Sequence, residues 1–336
     1  MDDAHKRPPI GVAIVTYRPG PIVLECLESL MASQYGPMKI VICDNASPDN
    51  TVDALQVWLA ENGFTSDIYN VTAEADTDSG PLGPITLLKS NRNLGFAGGV
   101  NVCLRTLAKD ETVNHFWVLN PDCTVPPSTP HLFADAIDAN GEIGILGGRI
   151  VYKHSPTIIQ SDGGRVNLWT GVCRNLNYGA DVANVVPPST NRIDFVVGAS
   201  VVVSRRFVET VGYMEEGYFL FYEEVDWALQ RGELPLHYSH DAVIYHEGGT
   251  ATGSASFKRR ASPVTNYFQY RNRMRFVARF KPWALPIAYA VSALKLVKLV
   301  TDGGDREELS SAFRGLHQMA PPKTVLSKLG PTADLG

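Results

Sequence analysis

Four short polar clusters stand directly behind apolar runs: Thr16-Tyr17-Arg18, Asp44-Asn45-Ala46-Ser47, Asn91-Arg92-Asn93-Leu94-Gly95 and Asn120-Pro121-Asp122. A nucleotide requires an acceptor for a base imide N–H, donors for its carbonyls, and N–H groups or cations near its phosphates; these clusters hold such groups. Asp44 is the natural imide acceptor, although its carboxylate would equally cap the turn and helix that follow. At Asn120-Pro121-Asp122 a carboxylate emerges from a buried run, where a charge is costly unless it meets a cation. A divalent metal bridging Asp122 and a diphosphate would supply one. Asn120 adds no charge, which suits Mg or Mn held largely by substrate phosphates. An ordinary Asn-Pro-Asp turn is the plain alternative.

A second kind of chemistry lies in Phe219-Leu220-Phe221-Tyr222-Glu223-Glu224-Val225-Asp226-Trp227, three carboxylates beside large apolar groups. Burial and crowding of like charges both raise a carboxyl pKa, and together they can tune one group as a general base. The same residues would also serve as an acidic first turn favoured by the helix dipole. His246 follows an apolar run and precedes Glu247-Gly248-Gly249, where it is a metal ligand or simply a structural histidine. Gly95, Gly98 and Gly99 lack the G-x-G-x-x-G spacing, and no G-x-x-x-x-G-K-[ST] occurs. These glycines would admit a nucleotide close to a helix or let that helix pack on a sheet.

The elements that must position these groups follow from periodicity. Ile10–Thr16, Met38–Asp44, Ile85–Leu88 and His115–Leu119 are short continuous apolar runs, each suited to a strand buried on both faces. Helical spacing covers about 22–33, 51–62 and 95–108. Alternation of this kind predicts an α/β, Rossmann-like, twisted sheet with helices on both faces and ligands at the carboxyl ends of its strands. Further strands at 144–152 and 193–204 should make the sheet mixed. A helix is expected over 223–230 and a last short strand over 242–246. Variable loops are expected at 71–84 and after His246. No internal repeat is visible.

With 336 residues, 44% hydrophobic and 19% charged, the chain can bury a sizeable core and is neither disordered nor fibrous. Thirty Lys and Arg against 35 Asp and Glu give a net charge of -5, so there is no global field for nucleic acid and an anionic partner must be held locally. Five cysteines without a C-x-x-C pair read as buried reduced thiols of a cytosolic protein, and residues 1–9 lack the parts of a signal peptide. The tail interleaves Tyr267, Phe268, Tyr270, Arg271, Arg273, Arg275, Phe276 and Arg279, then runs apolar from Trp283 to Leu294. That stretch is short for a span of roughly 20 residues and suits a membrane surface or a helical hairpin packed on the domain.

In order, Val-Thr-Tyr, Asp-Asn-x-Ser, Asn-x-Gly-Phe-Ala-Gly-Gly-x-Asn, Asn-Pro-Asp, Phe-Val-x-Gly-Ala, Tyr-Glu-Glu-Val-Asp-Trp and His-x-Gly-Gly resemble the family 2 inverting glycosyltransferases of the GT-A fold. Within them the chain is similar to the bacterial rhamnosyltransferase-like branch, over about residues 10–250, with Tyr270-Arg271-Asn272-Arg273 matching as well. The resemblance implies a domain over 1–255, with a nucleotide part at about 10–125 and an acceptor and catalytic part at about 126–255. A C-terminal helical, membrane-associating tail would follow over 256–336. Thr16, Tyr17, Arg18, Asp44 and Asn93 would surround base and ribose, with Asn45 and Gly95 in the same clusters. Asp122 would stand for the family's D-x-D aspartate and, with His246, hold the divalent cation. Gly198 and Ala199, with Trp169 and Trp227, would line the sugars. Glu224 matches the catalytic Asp in position, with Glu223 and Asp226 as alternatives.

The activity implied is inverting transfer from dTDP-rhamnose, or from a UDP-sugar, to a hydroxyl of a growing, lipid-linked surface glycan. It would take place at the inner face of the cytoplasmic membrane through contact over about 267–300. A glycosidase explains none of the nucleotide-like clusters. A nucleotidyl transferase would resemble a Gly-rich, Lys-containing first loop. A silent scaffold subunit is the rival of another class, since Asn120 and Glu224 depart from the family's residues.

Overall fold

The computed structural model describes residues 7–33, 35–72, 77, 82–248, 260–330, 333 and 335. The two expected loops, at 71–84 and after His246, lie largely outside them, as does residue 255.

In chain order the elements begin β1 (Ile10–Thr16), α1 (Ile22–Met31), β2 (Met38–Asp44), α2 (Thr51–Glu61), β3 (Ile68–Asn70), β4 (Ile85–Lys89), α3 (Gly95–Ala108) and β5 (His115–Leu119). They continue β6 (Cys123–Thr124), α4 (Thr129–Asn140), β7 (Ile145–Tyr152), β8 (Ser155–Ser161), β9 (Gly164–Asn167), β10 (Val172–Asn175), β11 (Ser200–Ser204), α5 (Arg205–Val211), α6 (Glu223–Leu229) and β12 (Leu236–His246). The chain then turns helical: α7 (Pro263–Phe280), α8 (Leu285–Thr301), α9 (Arg306–Leu316) and α10 (Lys323–Leu329).

Among the described residues one mixed sheet runs β3-β4-β2-β1-β5-β11-β7-β12-β6, with β8 joined to β7. The β3, β4, β2, β1 and β5 neighbours are parallel, and β11 enters antiparallel between β5 and β7. All seven residues of β1 are buried because the pleat sends them alternately into two cores. Val12, Ile14, Ile40 and Ile42 face Leu27, Leu30 and Leu59 of α1 and α2; Ala13, Val15, Val41 and Cys43 face Val100, Cys103 and Leu104 of α3. The continuous apolar runs therefore mean strands covered on both sides.

Two expectations are corrected by tertiary packing. The last strand is not five residues but eleven, since β12 pairs with β7 across an irregularity between Ser239 and Val243. The aromatic and basic segment at 267–280 does not present itself to the surroundings. Tyr270, Met274, Phe276 and Val277 of α7 belong to the same core as α3 and β11, and Arg271 and Arg273 are buried with them. Helices α4 and α5 lacked a clear sequence signal. All five cysteines are free thiols, four buried and Cys173 half-buried.

Candidate active site

The carboxyl ends of β1, β4 and β5, the start of α3 and the turn before α6 enclose a cavity of about 440 Å³. Of the residues singled out above, it is lined by Tyr17, Asn45, Asn93, Gly95, Asp122, Gly198, Ala199, Glu223, Glu224 and His246. Chain segments as distant as 17 and 246 thus meet at one sheet edge.

On the nucleotide side, Thr16 and Asp44 are fully buried and pair with each other, the Thr16 hydroxyl donating to Asp44 Oδ1 at 2.9 Å. Asp44 Oδ2 accepts the Ser47 backbone N–H at 2.9 Å, so in this structure Asp44 caps its turn. Burial pushes its carboxyl up from the usual value, against the opposing hydrogen bonds from Ser47 and Thr16. Arg18 is exposed, its guanidinium over the Tyr17 ring at 5.3 Å. Asn45 donates to the Gly95 carbonyl at 2.7 Å, tying the second cluster to the third. Asn93 Nδ2 donates to the Leu329 carbonyl of α10 at 2.9 Å, which brings the C-terminal helix over this end of the cavity.

The glycine run serves close packing. Gly95 sits at φ +72°, and a Cβ there would lie 2.4 Å from the Phe219 carbonyl oxygen. At Gly99 a Cβ would lie 2.6 Å from Val15 Cγ1. Only glycine lets α3 approach β1 and the 219–222 turn this closely.

Asp122 and His246 are both buried and stand 3.1 Å apart. His246 Nδ1 lies 2.7 Å from Gln160 Oε1, a contact that orients the ring with Nε2 toward Asp122. The Asn120 amide adjoins them, its Nδ2 3.4 Å from His246 Nε2, and its Oδ1 is buried with no hydrogen-bond partner among the described residues. A carboxylate and an imidazole nitrogen, with the Asn120 amide beside them, form a donor set that fits a Mg- or Mn-type cation. Cys123 Sγ is also within reach, but burial holds its thiol well above the usual range, and it donates to the Ala199 carbonyl at 3.5 Å. Gln160 carried no signal in the sequence, because nothing local links it to His246 across 86 residues.

The acidic turn is strained. Phe219, Phe221 and Tyr222 have φ of 62°, 69° and 78°, a region that aromatic residues rarely adopt. Helix α7 holds it there. Asn272 Nδ2 reaches the carbonyls of Tyr218, Leu220 and Phe221 at 2.9, 2.7 and 2.8 Å, and Arg271 donates to those of Gly217 and Tyr218. Glu223 and Glu224 then point into the cavity, each with one buried oxygen lacking a partner. Burial and the charge of Glu224 hold the Glu223 carboxyl well above its usual range; burial raises Glu224 too, against backbone amides that include Gly198. One proton shared over this pair leaves the other carboxylate able to accept a proton from a hydroxyl.

Three residues expected in the site, Asp226, Trp227 and Trp169, lie outside the cavity lining. Asp226 is fully buried and accepts from Tyr218 Oη at 2.9 Å and from Gln230, with Arg279 Nε 3.3 Å away; two residues on from Glu224, roughly half a turn around α6, it faces away from the cavity. Trp227 packs edge-on against Phe207, ring centroids 4.9 Å apart, and donates to the Gly212 carbonyl. Trp169 is outside the lining as well, half-exposed on the β9–β10 hairpin with the Lys281 ammonium 4.2 Å over its ring. Cys173, Gln269 and Arg273 line the cavity without having been anticipated there.

Residues 11–170 match the family model described as glycosyl transferase family 2. The N-acetylglucosaminyl-diphospho-decaprenol L-rhamnosyltransferase of Mycobacterium tuberculosis is 25% identical over 264 residues, covering 71% of this chain and 76% of that protein. The low-salt glycan biosynthesis hexosyltransferase Agl10 of Haloferax volcanii is 21% identical over 265 residues, covering 79% of this chain and 74% of its own. Among solved structures, the mannosyltransferase PcManGT from Pyrobaculum calidifontis in complex with GDP-Man and Mn2+ superposes with a TM-score of 0.52 at 17% identity, covering 98% of this chain and 87% of that one. TarS 1-349 of S. aureus in complex with UDP-GlcNAc gives 0.55 at 15% identity, covering 94% and 82%. These structures share the GT-A architecture, and at such identities they speak to the fold.

Proposed function

Starting from a chain that carries a family 2 glycosyltransferase domain of the rhamnosyltransferase-like branch, we propose that it transfers a sugar, with inversion, from a nucleoside diphosphate donor to a hydroxyl of a lipid-linked glycan. The observation that carries this reading is the convergence of Tyr17, Asn93, Asp122, His246 and Glu224 on one cavity. The branch favours dTDP-rhamnose as donor, with UDP-sugars as the alternative. Tyr17, Asn45 and Asn93 would hold the nucleoside, with Thr16 and Asp44 shaping the floor beneath it.

Asp122 and His246 would hold a divalent cation, which when bound supplies positive charge to the departing diphosphate. The chain's own contribution is positional and proton-directed. Gly198 and Ala199 bound the sugar end of the cavity, and the strained turn brings Glu224 to the same space. Glu224 accepts the proton of the attacking hydroxyl, which reaches the anomeric carbon from the face opposite the leaving group. Glu223, better shielded and held more strongly protonated, keeps the pair singly charged.

The lipid end of the acceptor fits α8. Pro282–Thr301 is long and apolar enough to cross a membrane by length and composition, and only 17% of its most apolar window is buried. Trp283, Leu294, Val297 and Val300 are exposed, flanked by Lys281, Lys295 and Lys298, the pattern of a helix lying in a lipid interface. Contact with a membrane would therefore run through α8 rather than through the buried α7, on the cytoplasmic face where nucleotide sugars are made available.

The test is calorimetric titration of the folded protein with dTDP-rhamnose, UDP-GlcNAc and GDP-mannose, each with Mg, with Mn and with EDTA. Cation-dependent binding of one donor supports the reading. Absence of binding to all three would favour a scaffold subunit.

A further inference from the structure

Arg273 of α7 is a buried cation without an acidic partner among the described residues. It is 7% exposed, lines the cavity, and among the described residues no carboxylate lies within ion-pair distance of it. Its Nε donates to Tyr222 Oη at 3.3 Å and its Nη1 to Ser292 Oγ at 3.2 Å, accounting for two of five N–H donors. Its stem packs tightly under the β9–β10 hairpin, for a Cβ on Gly171 would lie 2.6 Å from Arg273 Cγ. A guanidinium taken out of water with no countercharge is expensive unless an anion joins it. Lys295 of α8 lies near enough that Arg273 and Arg174 lower its pKa further, after the larger effect of its own burial. Of these three cations Arg273 alone lines the cavity, in a chain whose net charge is -5.

The placement selects the anion. Tyr222 immediately precedes Glu223 and Glu224, and Ser292 is one of the two buried residues of α8, behind its exposed apolar face. From the cavity outward the order is the proposed base, Arg273, then the lipid-facing helix. A lipid-linked acceptor presents the same order: reacting hydroxyl, sugar, diphosphate, hydrocarbon. The donor's diphosphate belongs with Asp122 and His246 instead.

We propose that Arg273, with Lys295 one helical turn beyond Ser292 on α8, binds the diphosphate that links the acceptor sugar to its lipid. This inference rests on the glycosyltransferase reading given above. A bidentate, charge-assisted contact of this kind fixes both the depth and the direction in which the acceptor enters.

Three readouts separate the inference from the reading beneath it. Donor binding is measured by titration with the nucleotide sugar selected above. Transfer is then measured to two probes, a synthetic N-acetylglucosaminyl-diphospho-lipid and octyl N-acetylglucosaminide, which lacks the phosphates. Wild type should prefer the diphosphate probe, and Arg273→Gln should lower that preference, as a ratio of kcat/KM, by roughly 10- to 100-fold. Arg273→Lys should recover part of it. Lys295→Gln, at a position on α8 only partly withdrawn from solvent, should lower the ratio several-fold and serves if Arg273→Gln does not fold.

An unchanged ratio in these variants overturns the inference while leaving transfer intact. So does a loss in Arg273→Gln that falls on donor affinity, or a shift of the acid limb of kcat with the ratio unmoved, which would make Arg273 a partner of Glu224. Wild type that binds the donor but transfers to neither probe also overturns the inference, whereas absence of donor binding overturns the glycosyltransferase reading itself.

Discussion

Asn272 Nδ2 lies 2.8 Å from the carbonyl oxygen of Phe221, a residue held at φ +69° two positions before Glu223. The amide also reaches the Tyr218 and Leu220 carbonyls, so one side chain on α7 pins three carbonyls of the strained acidic turn. Each residue held in such backbone costs about 1–3 kcal/mol and persists only where its surroundings enforce it. Asn272 is therefore a positioning residue for the carboxylates.

Removing it should show that role. Asn272→Ala is expected to reduce kcat by about 10- to 100-fold, since an unmade buried hydrogen-bond set costs on the order of 1–3 kcal/mol. The measurement is steady-state kinetics beside calorimetric donor titration. A fall in donor affinity equal to the fall in kcat would point to general unfolding instead.

Glu224→Gln keeps shape and removes the proton acceptor. Transfer should fall by about 10²- to 10⁴-fold while donor affinity holds, as expected for loss of a general base. Because burial raises the Glu224 carboxyl, wild-type kcat should decline with an acid limb above the usual 4.5 for glutamate as pH falls. A pH profile of kcat reads both points.

Glu223 gives the opposite signature in stability. Its folded pKa is raised, so the folded state binds the extra proton and stability falls as pH rises from the unfolded value through the folded one. Glu223→Gln should raise Tm by roughly 2 °C at pH 8 and by less at pH 5. Thermal melts at the two pH values decide it.

EDTA should weaken donor binding, and His246→Ala should weaken the response to added Mn by about 10- to 100-fold. Gln160→Leu, which frees His246 Nδ1, should fall between that variant and wild type. Manganese titrations at a fixed donor concentration would rank the three.

The C-terminal helix covers the nucleoside end, with the Leu329 carbonyl on Asn93 and Gly330 against Tyr17. Val325→Asp places a charge at a fully buried contact of α10 and should undock it. If Asn93 serves the nucleoside, dTDP should then bind several-fold more tightly. Weaker binding would mean that α10 contributes to the site.

How much of this was legible in the sequence follows from range. Strands β1, β2, β4 and β5 could be read because burial on both faces writes a continuous apolar run into local sequence, and their ends located four polar clusters. The pairing of Glu223 with Glu224 was legible as well, being adjacent in the chain. What a carboxylate faces is set by partners far along the chain, and composition carries no trace of them. So Asp44 proved to cap its own turn, and Asp226 and Trp227 turned into the core. The tail shows the limit most clearly. Aromatic and basic residues at 267–280 have the composition of an interfacial helix, yet Asn272 and Arg271 meet the carbonyls of a strained turn some 50 residues earlier, and burial follows from that. The sequence by itself determined the strands and the chemistry available at their ends. Only the tertiary structure decided which of those groups share a cavity, because desolvation, countercharge and hydrogen-bond geometry exist only once distant segments have met.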